Sequence, residues 1–465
     1  MRGRSLTALV LAATVAAVVA AGASRPGPVQ RPTGVFAAAA PFPPLLGVVT
    51  ERRRQQLVRV DPQTLRPRGG PRVDLGSEGC APRSGGQACW QVPPWSFSPD
   101  GSRVAVARHE RGEVRSLRVV DVARRRVAAD VPIAGGAVGL VAWPARDRAL
   151  AVQEVCCDEQ QRLLVVDLTR RRVARRHPLG GTVRRVGRTP RELVLLVAPP
   201  RRIGPARLAV VDGAGAVRSV RLERISAGEQ LVDDPDRHSL RRRLPGLAVD
   251  PAGRRAFVVD AGLVAEVDLA TLAMCYHELT RSASLLARIR DWLDPAAHAK
   301  GIRGPTRSAT WLGGGLLAVT GADEEWSTDA PGAAHVRVRP AGLGLVDTRD
   351  WSVRTIDAGA TDLRVAGDLL LATGSSLDSA SGESRSIGLA GYGLDGERRF
   401  ALFGGREAWV EQVHDGRAYV GGGVRPDGRL APLRIVELAT GRAAGERAGR
   451  LPWLLLDAAS GWWED

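Results

Sequence analysis

The chain has 465 residues, 44% of them hydrophobic, and a formal charge of +16. That apolar share excludes a wholly disordered chain, and the length outgrows one ordinary core unless repeats each add a slice of their own. Lys300 is the only lysine and the other cations are arginines, a compositional skew that makes nucleic acid a poor partner to read from the charge.

Arg2 and Arg4 precede an uncharged apolar stretch, Leu6 to Ala23, which ends in Ala21-Gly22-Ala23. A positive start, an apolar middle and a small-x-small end predict a signal peptide over residues 1–23. An uncleaved anchor is the alternative, since the stretch is about long enough to span a bilayer. No cysteine follows closely enough for a lipid anchor, and no twin-arginine pair is present. Residues 24–44, rich in proline and alanine, read as a lead-in. The remainder, residues 45–465, is expected outside the cytoplasmic membrane, secreted or attached to the cell envelope.

From residue 45 one hairpin pattern recurs: a β-branched run, an acidic or small residue, a short polar turn and a second alternating run. Copies begin at Gln56, Leu117, Leu163, Leu208, Val264 and Leu343, with weaker ones at Ile387 and Leu433. A second hairpin precedes most copies, beginning at Trp95, Val141, Val186, Leu247, Ala309, Leu363 and Val410. Two hairpins make a four-stranded meander, and a repeat of about 45 residues is the period of a propeller blade. One meander cannot bury both faces, but a ring of them can. The first repeat, Leu45 to Leu75, supplies three strands and the last segment, Leu451 to Leu456, supplies one. Joining them predicts an all-β propeller of eight four-stranded blades, or seven if one weak copy is false.

Trp95 to Ala107, "WSFSPDGSRVAVA", resembles the first hairpin of TolB-type and WD40-like propellers through its Ser98-Pro99-Asp100-Gly101 turn. Val264 to Leu272, "VAEVDLATL", resembles the second hairpin of YVTN-type propellers. These resemblances imply the fold and leave the activity open, because such families include scaffolds, surface proteins and enzymes.

Two insertions break the period. Residues 226–246 are polar and read as a loop. In residues 281–301, Leu285, Leu286, Ile289, Trp292 and Leu293 recur at helical spacing, with Ser282 or Ser284 as a cap and Asp294-Pro295 as a stop. A short helix from Ser284 to Leu293 is expected across the channel mouth, with Ile289 and Trp292 buried.

Cys80 and Cys89 flank a loop rich in glycine, serine and proline, and a disulfide between them suits an exported chain. Cys156-Cys157 is a vicinal pair whose state stays open, and Cys275 reads as a small buried residue. The seven histidines form no metal or haem motif, and neither a nucleophile elbow nor a phosphate loop occurs. No cofactor is implied. A non-enzymatic binding or scaffold role is therefore expected, with a lactonase-like hydrolase holding a divalent cation in the channel as the alternative.

Charge separates by connection type. Turns within hairpins carry Arg103, Arg124 to Arg126, Arg146, Arg148, Arg170 to Arg172, Arg254 and Arg255. Loops between hairpins carry Glu110, Glu113, Glu154, Asp158, Glu159, Asp323, Glu324, Glu325 and Asp329, though Arg52 to Arg54 and Arg201-Arg202 break the rule. In a propeller these sets fall on opposite faces, so a basic face could meet an anionic envelope surface. The loop-rich face would meet a protein or carbohydrate. Its candidate ligand residues are Asp323, Glu324, Glu325 and Trp326, with Glu154, Asp158 and Glu159, an arrangement suited to a cationic or sugar-like group. The plainer reading of both faces is that charged side chains solvate turns.

Overall fold

The computed structural model describes residues 29–30 and 44–461, except 53, 78, 84–85, 91–93, 111–112, 134–136, 146, 155–160, 235–236, 280–302, 330–332, 379–380, 382, 423–430, 449–451, 453 and 457–459. Among the described residues there is no helix. The helix expected over 284–293 lies outside them, as do Asp158, Glu159 and the Cys156-Cys157 pair.

The chain is an all-β propeller. Among the described residues its strands form three separate four-stranded sheets, an eight-stranded and a fourteen-stranded sheet and two two-stranded ones, and within the two large sheets most strands again fall into antiparallel groups of four. The innermost strands, in chain order after the first group, are Trp95–Phe97, Ala137–Ala145, Thr182–Arg188, Gly246–Val249, Arg303–Gly313, Asp362–Ala366 and Trp409–His414. In six of these groups the next three strands follow the inner one in sequence; in the group that begins at Arg303–Gly313 the strand Ala333–Pro340 intervenes.

The repeated Asp explains why this sequence turns where it does. At Asp61, Asp121, Asp268 and Asp347 a carboxylate oxygen accepts hydrogen bonds from backbone N–H groups two or three residues on. The aspartate's own carbonyl accepts from the residue four on: Leu65, Arg125, Leu272 and Trp351, at 2.7–2.8 Å. Those four residues all have positive φ, between 49° and 61°. The Asp side chain holds open a turn whose last residue sits in the left-handed region, where a non-glycine residue needs such support. Arg68 and the backbone hold the Asp61 carboxyl far below the usual carboxylate range. Hydrogen bonds from Arg349 hold Asp347 at about 2. The Ser98-Pro99-Asp100-Gly101 turn works alike: Gly101, at φ 69°, donates to the Ser98 carbonyl, and the Ser98 hydroxyl donates to Asp100.

Apolar residues alternate along the strands, and both faces of every inner group are covered by neighbours. Buried side chains among the described residues fall into eight clusters, each shared by two adjacent groups. Trp143, fully buried, donates from its indole N–H to the Ser96 carbonyl at 2.8 Å, tying the third group to the second. The last cluster closes the ring. Leu45, Val58 and Leu65 pack with Tyr419, Ile435 and Leu455.

The closing strand behaves as the sequence predicts. Leu454–Leu456 pairs with the first outward strand, Leu46–Glu51, in the register Leu46 to Leu456 and Val48 to Leu454. Tyr419 donates to the Pro62 carbonyl at 3.0 Å, and Arg447 donates to the Gln63 carbonyl, bridging the same seam.

Two expectations are corrected. Residues 228–234 and 237–243 form a β-hairpin, from the long strand Val217–Asp234 and Arg237–Arg243, because their polar residues pair with each other across the two strands. Cys275 is exposed rather than buried. It sits on the outer strand Met274–Glu278, where alternation turns Met274 and Tyr276 toward the core and leaves Cys275 on the other side.

Candidate functional site: a side sheet on the loop-rich face

The face that carries the connections between hairpins is built from strands that overrun the disc. Val217–Asp234 pairs within its own group as far as Ala227, then continues as a hairpin with Arg237–Arg243. Leu316–Asp329 does the same. Leu316 to Val319 pair within the disc, while Ala322 to Asp329 pair with the extra strand Ala333–Pro340. Arg337 and Val338 then pair with Asp378 and Leu377 of the next group. Parallel bridges from Arg241 to Arg303 and from Leu244 to Thr306 join the first hairpin to the second. Three groups are thereby linked by one sheet standing on this face.

Gly304 shows how close that junction is. Its φ is +148°, and a Cβ there would stand 1.6 Å from the Arg242 carbonyl oxygen. Only glycine fits.

The candidate acids lie in this sheet, not at a loop tip. Asp323, Glu324, Glu325 and Trp326 are consecutive residues of Leu316–Asp329. They are in a strand because residues 333–340 supply a partner, so the expected loop is a hairpin extension. Strand alternation also divides the acids between two faces: Asp323 is exposed, whereas Glu324 is 6% exposed. Glu325 stands opposite Arg303 on one side and Arg337 on the other, and Asp323 stands opposite Arg339. Glu154 ends the strand Arg148–Glu154 in a different group, so the structure does not join it to this quartet. Cys80 and Cys89 are direct cross-strand partners in the hairpin of Gly79–Arg83 and Gly86–Trp90.

Arginines accompany the acids at each junction. Asp323 pairs with Arg307 at 2.8 Å, and the buried Arg307 also donates to the Thr306 and Ala322 carbonyls. Glu229 sits between Arg184, at 3.3 Å, and Arg242, at 2.8 Å. Asp378 pairs with Arg337 at 2.8 Å. Opposite charges on adjacent strands fix the register of a sheet that has little core beneath it.

Sequence reasoning passed over the arginines of the innermost strands. Arg184 and Arg185 belong to Thr182–Arg188, Arg307 to Arg303–Gly313 and Arg364 to Asp362–Ala366. The Arg185 guanidinium donates to the Arg307 carbonyl at 3.3 Å, reaching from the fourth group to the sixth. Burial lowers the Arg364 pKa to about 10, with Asp362 and Glu411 acting the other way. For Arg364 the signal was present in the sequence, an arginine between Leu363 and Val365. Among the described residues no cluster of histidine, cysteine and acids has the makings of a metal site.

No family model matches the chain, and no curated protein is found to be similar to it. Similar solved structures include the dihydro-heme d1 dehydrogenase NirN in complex with DHE, at 14% identity and a TM-score of 0.51, covering 93% of this chain and 80% of that one. The Swd1 β-propeller domain of Myceliophteria thermophila is 13% identical, with a TM-score of 0.37, over 76% of this chain and 95% of the domain. A prolyl endopeptidase is 14% identical, with a TM-score of 0.41, over 88% of this chain and 49% of that one. The structural neighbours are β-propeller proteins, a likeness of fold.

Proposed function

We propose that the chain is an eight-bladed propeller exported to the cell envelope, where it acts by binding a partner instead of turning over a substrate. The side sheet supports this reading more than any other feature. Strands from three groups, two of them carrying added hairpins, are joined into one pre-ordered surface whose charges are already tied in cross-strand pairs. A surface ordered before binding loses little entropy on association. Its mixture of paired arginines and acids offers hydrogen-bond donors and acceptors in alternation, which suits a protein or carbohydrate partner. It does not favour a lone cationic ligand, since Asp323 already has Arg307.

The reading also includes a disulfide between Cys80 and Cys89, a setting that an exported chain permits. A likeness to NirN at this level of identity brings neither its ligand nor its reaction.

The test is co-sedimentation of purified protein with isolated envelopes, together with fractionation of the producing cells. The protein is expected outside the cytoplasm and in the envelope pellet. A variant with residues 229–242 replaced by a short Gly-Ser turn should melt as a folded ring yet lose at least tenfold in pelleting. Protein confined to the cytosol would overturn the export reading. Undiminished pelleting of the shortened variant would overturn the role of the side sheet.

A further inference from the structure

The third group has an unusual outer edge. Its last strand, Arg172–Pro178, and the turn before it carry Arg170, Arg171, Arg172, Arg175 and Arg176, all exposed, and Arg162 lies on the adjoining strand, also exposed. The hairpin from Gln161 to Pro178 contains one acid, Asp167, whose carboxylate accepts from the Arg170 backbone N–H. None of the six guanidinium groups pairs with an acid among the described residues. Elsewhere in the disc some arginines are paired: Arg118 with Asp130, Arg218 with Glu192 and Arg224 with Glu278.

The strand's place at the edge of its sheet explains why so many arginines are exposed together. The register shifts between Val165 and Val166, leaving Ala174 as an extra residue in the outer strand. Beyond the shift Arg175 and Arg176 pair in step with Val165 and Leu164, so they point to opposite sides of the strand, and both are exposed because no further strand of the sheet lies beyond them. Seven residues of strand span about 20 Å, so the arginines form a row along the rim.

We infer that this rim of the third group is a docking edge for a bilayer of anionic phospholipid, which the disc meets edge-on. The inference rests on the envelope placement proposed above. Guanidinium groups match phosphate oxygens in a two-pronged geometry, and a row of them on a convex rim suits a flat sheet of headgroups. A nucleic-acid strand would be better served by a groove with aromatic platforms, and Gln161 to Pro178 contains no Phe, Tyr or Trp. The competing account is that charge merely keeps an open edge strand from pairing with another molecule.

The experiment uses purified protein with vesicles of phosphatidylcholine, with and without phosphatidylglycerol. Binding is expected only with the anionic lipid, weakening steeply with salt. Changing Arg170, Arg172, Arg175 and Arg176 to serine should reduce partitioning by several hundredfold, given about fivefold per arginine near a charged surface. Lysine at the same four positions should retain most of it. A control with serine at Arg385, Arg398, Arg406 and Arg442, on the seventh and eighth groups, should lose far less.

Should the serine variant aggregate, phenylglyoxal labelling of the unaltered protein takes its place, and anionic vesicles should then protect Arg170 to Arg176. Equal losses in patch and control variants, or labelling unaffected by vesicles, would overturn the inference. So would binding to soluble polyphosphate without binding to vesicles. Envelope pelleting that depends on residues 229–242 but not on these arginines would leave the proposed function standing and remove this edge alone.

Discussion

Leu456 is the antiparallel partner of Leu46, so a residue near the end of the chain completes the sheet that begins the ring. Both are buried, at 1% exposure each, and Leu455 beside them is 4% exposed. Ending the chain at Arg450 removes two buried leucines, worth about 2 kcal/mol or more each, and opens a strand edge. The shortened protein should unfold at a clearly lower denaturant concentration and tend to associate. Equal midpoints for the two proteins would show that the seam between Tyr419 and Pro62 closes the ring unaided.

The turn aspartates should behave as caps. Asp121 accepts from the Arg124 N–H at 2.8 Å and holds Arg125 at φ 49°. Asp121→Ala should cost about 1 kcal/mol in chemical denaturation, the usual range for losing a side-chain cap, whereas Asp121→Asn keeps an acceptor and should cost less. An alanine variant as stable as the parent would mean that the turn is held by strand pairing alone.

His109 gives the fold a pH dependence with a definite sign. Burial lowers its pKa from 6.5 to about 4, partly offset by the Ala107 backbone. Folding therefore favours the neutral ring. Its contribution is complete above pH 6.5 and declines as pH falls toward 4, by about 3 kcal/mol in all. Asp61 and Asp347 have depressed pKa values, so their contributions persist down to about 3.8 and are lost only below it. Glu407 acts with the opposite sign because burial raises its pKa. The readout is accordingly the difference between the parent and His109→Gln, in urea midpoints at pH 7 and pH 4.5. The variant should lose less stability across that interval.

Cys80 and Cys89 face each other across a two-stranded hairpin, and direct cross-strand partners have Cα separations of about 4.5–5.5 Å, within the range a disulfide needs. Peptide mapping without reductant should recover the two cysteines linked to each other. Linkage of either to Cys275 or to the 156–157 pair would refute the pairing. Reduction should lower stability by about 2 kcal/mol, the scale for so short a closed loop.

The propeller was legible because its signals are local. Asp61, Asp121, Asp268 and Asp347 each follow a β-branched run and precede a short turn, and each proves to cap that turn. The closing strand was legible for a different reason: Leu454 to Leu456 had no hairpin partner in sequence. The side sheet was not legible. Residues 229–243 read as a polar loop because no apolar face declares them, and what makes them strands is pairing with each other and with residues far along the chain. Asp323 to Trp326 were misplaced for a related reason, since the strand that extends them, residues 333–340, offers only the brief alternation of Val336 and Val338. Arg307 escaped notice because it lies in a polar stretch, between Thr306 and Ser308, that nothing in the sequence sets apart. Only the fold reveals Asp323 beside it.

A ring that ends by pairing its last strand with its first carries a check on its own completeness. Until Leu454–Leu456 is made, the edge of Leu46–Glu51 stays open, however well the intervening groups have assembled. A product cut short by a stalled ribosome or a premature stop thus differs from the finished protein in an exposed, pairing-competent strand and not merely in length. Such an edge is the feature that proteases and chaperones can engage, so an unfinished copy is open to removal in a way that the sealed disc is not.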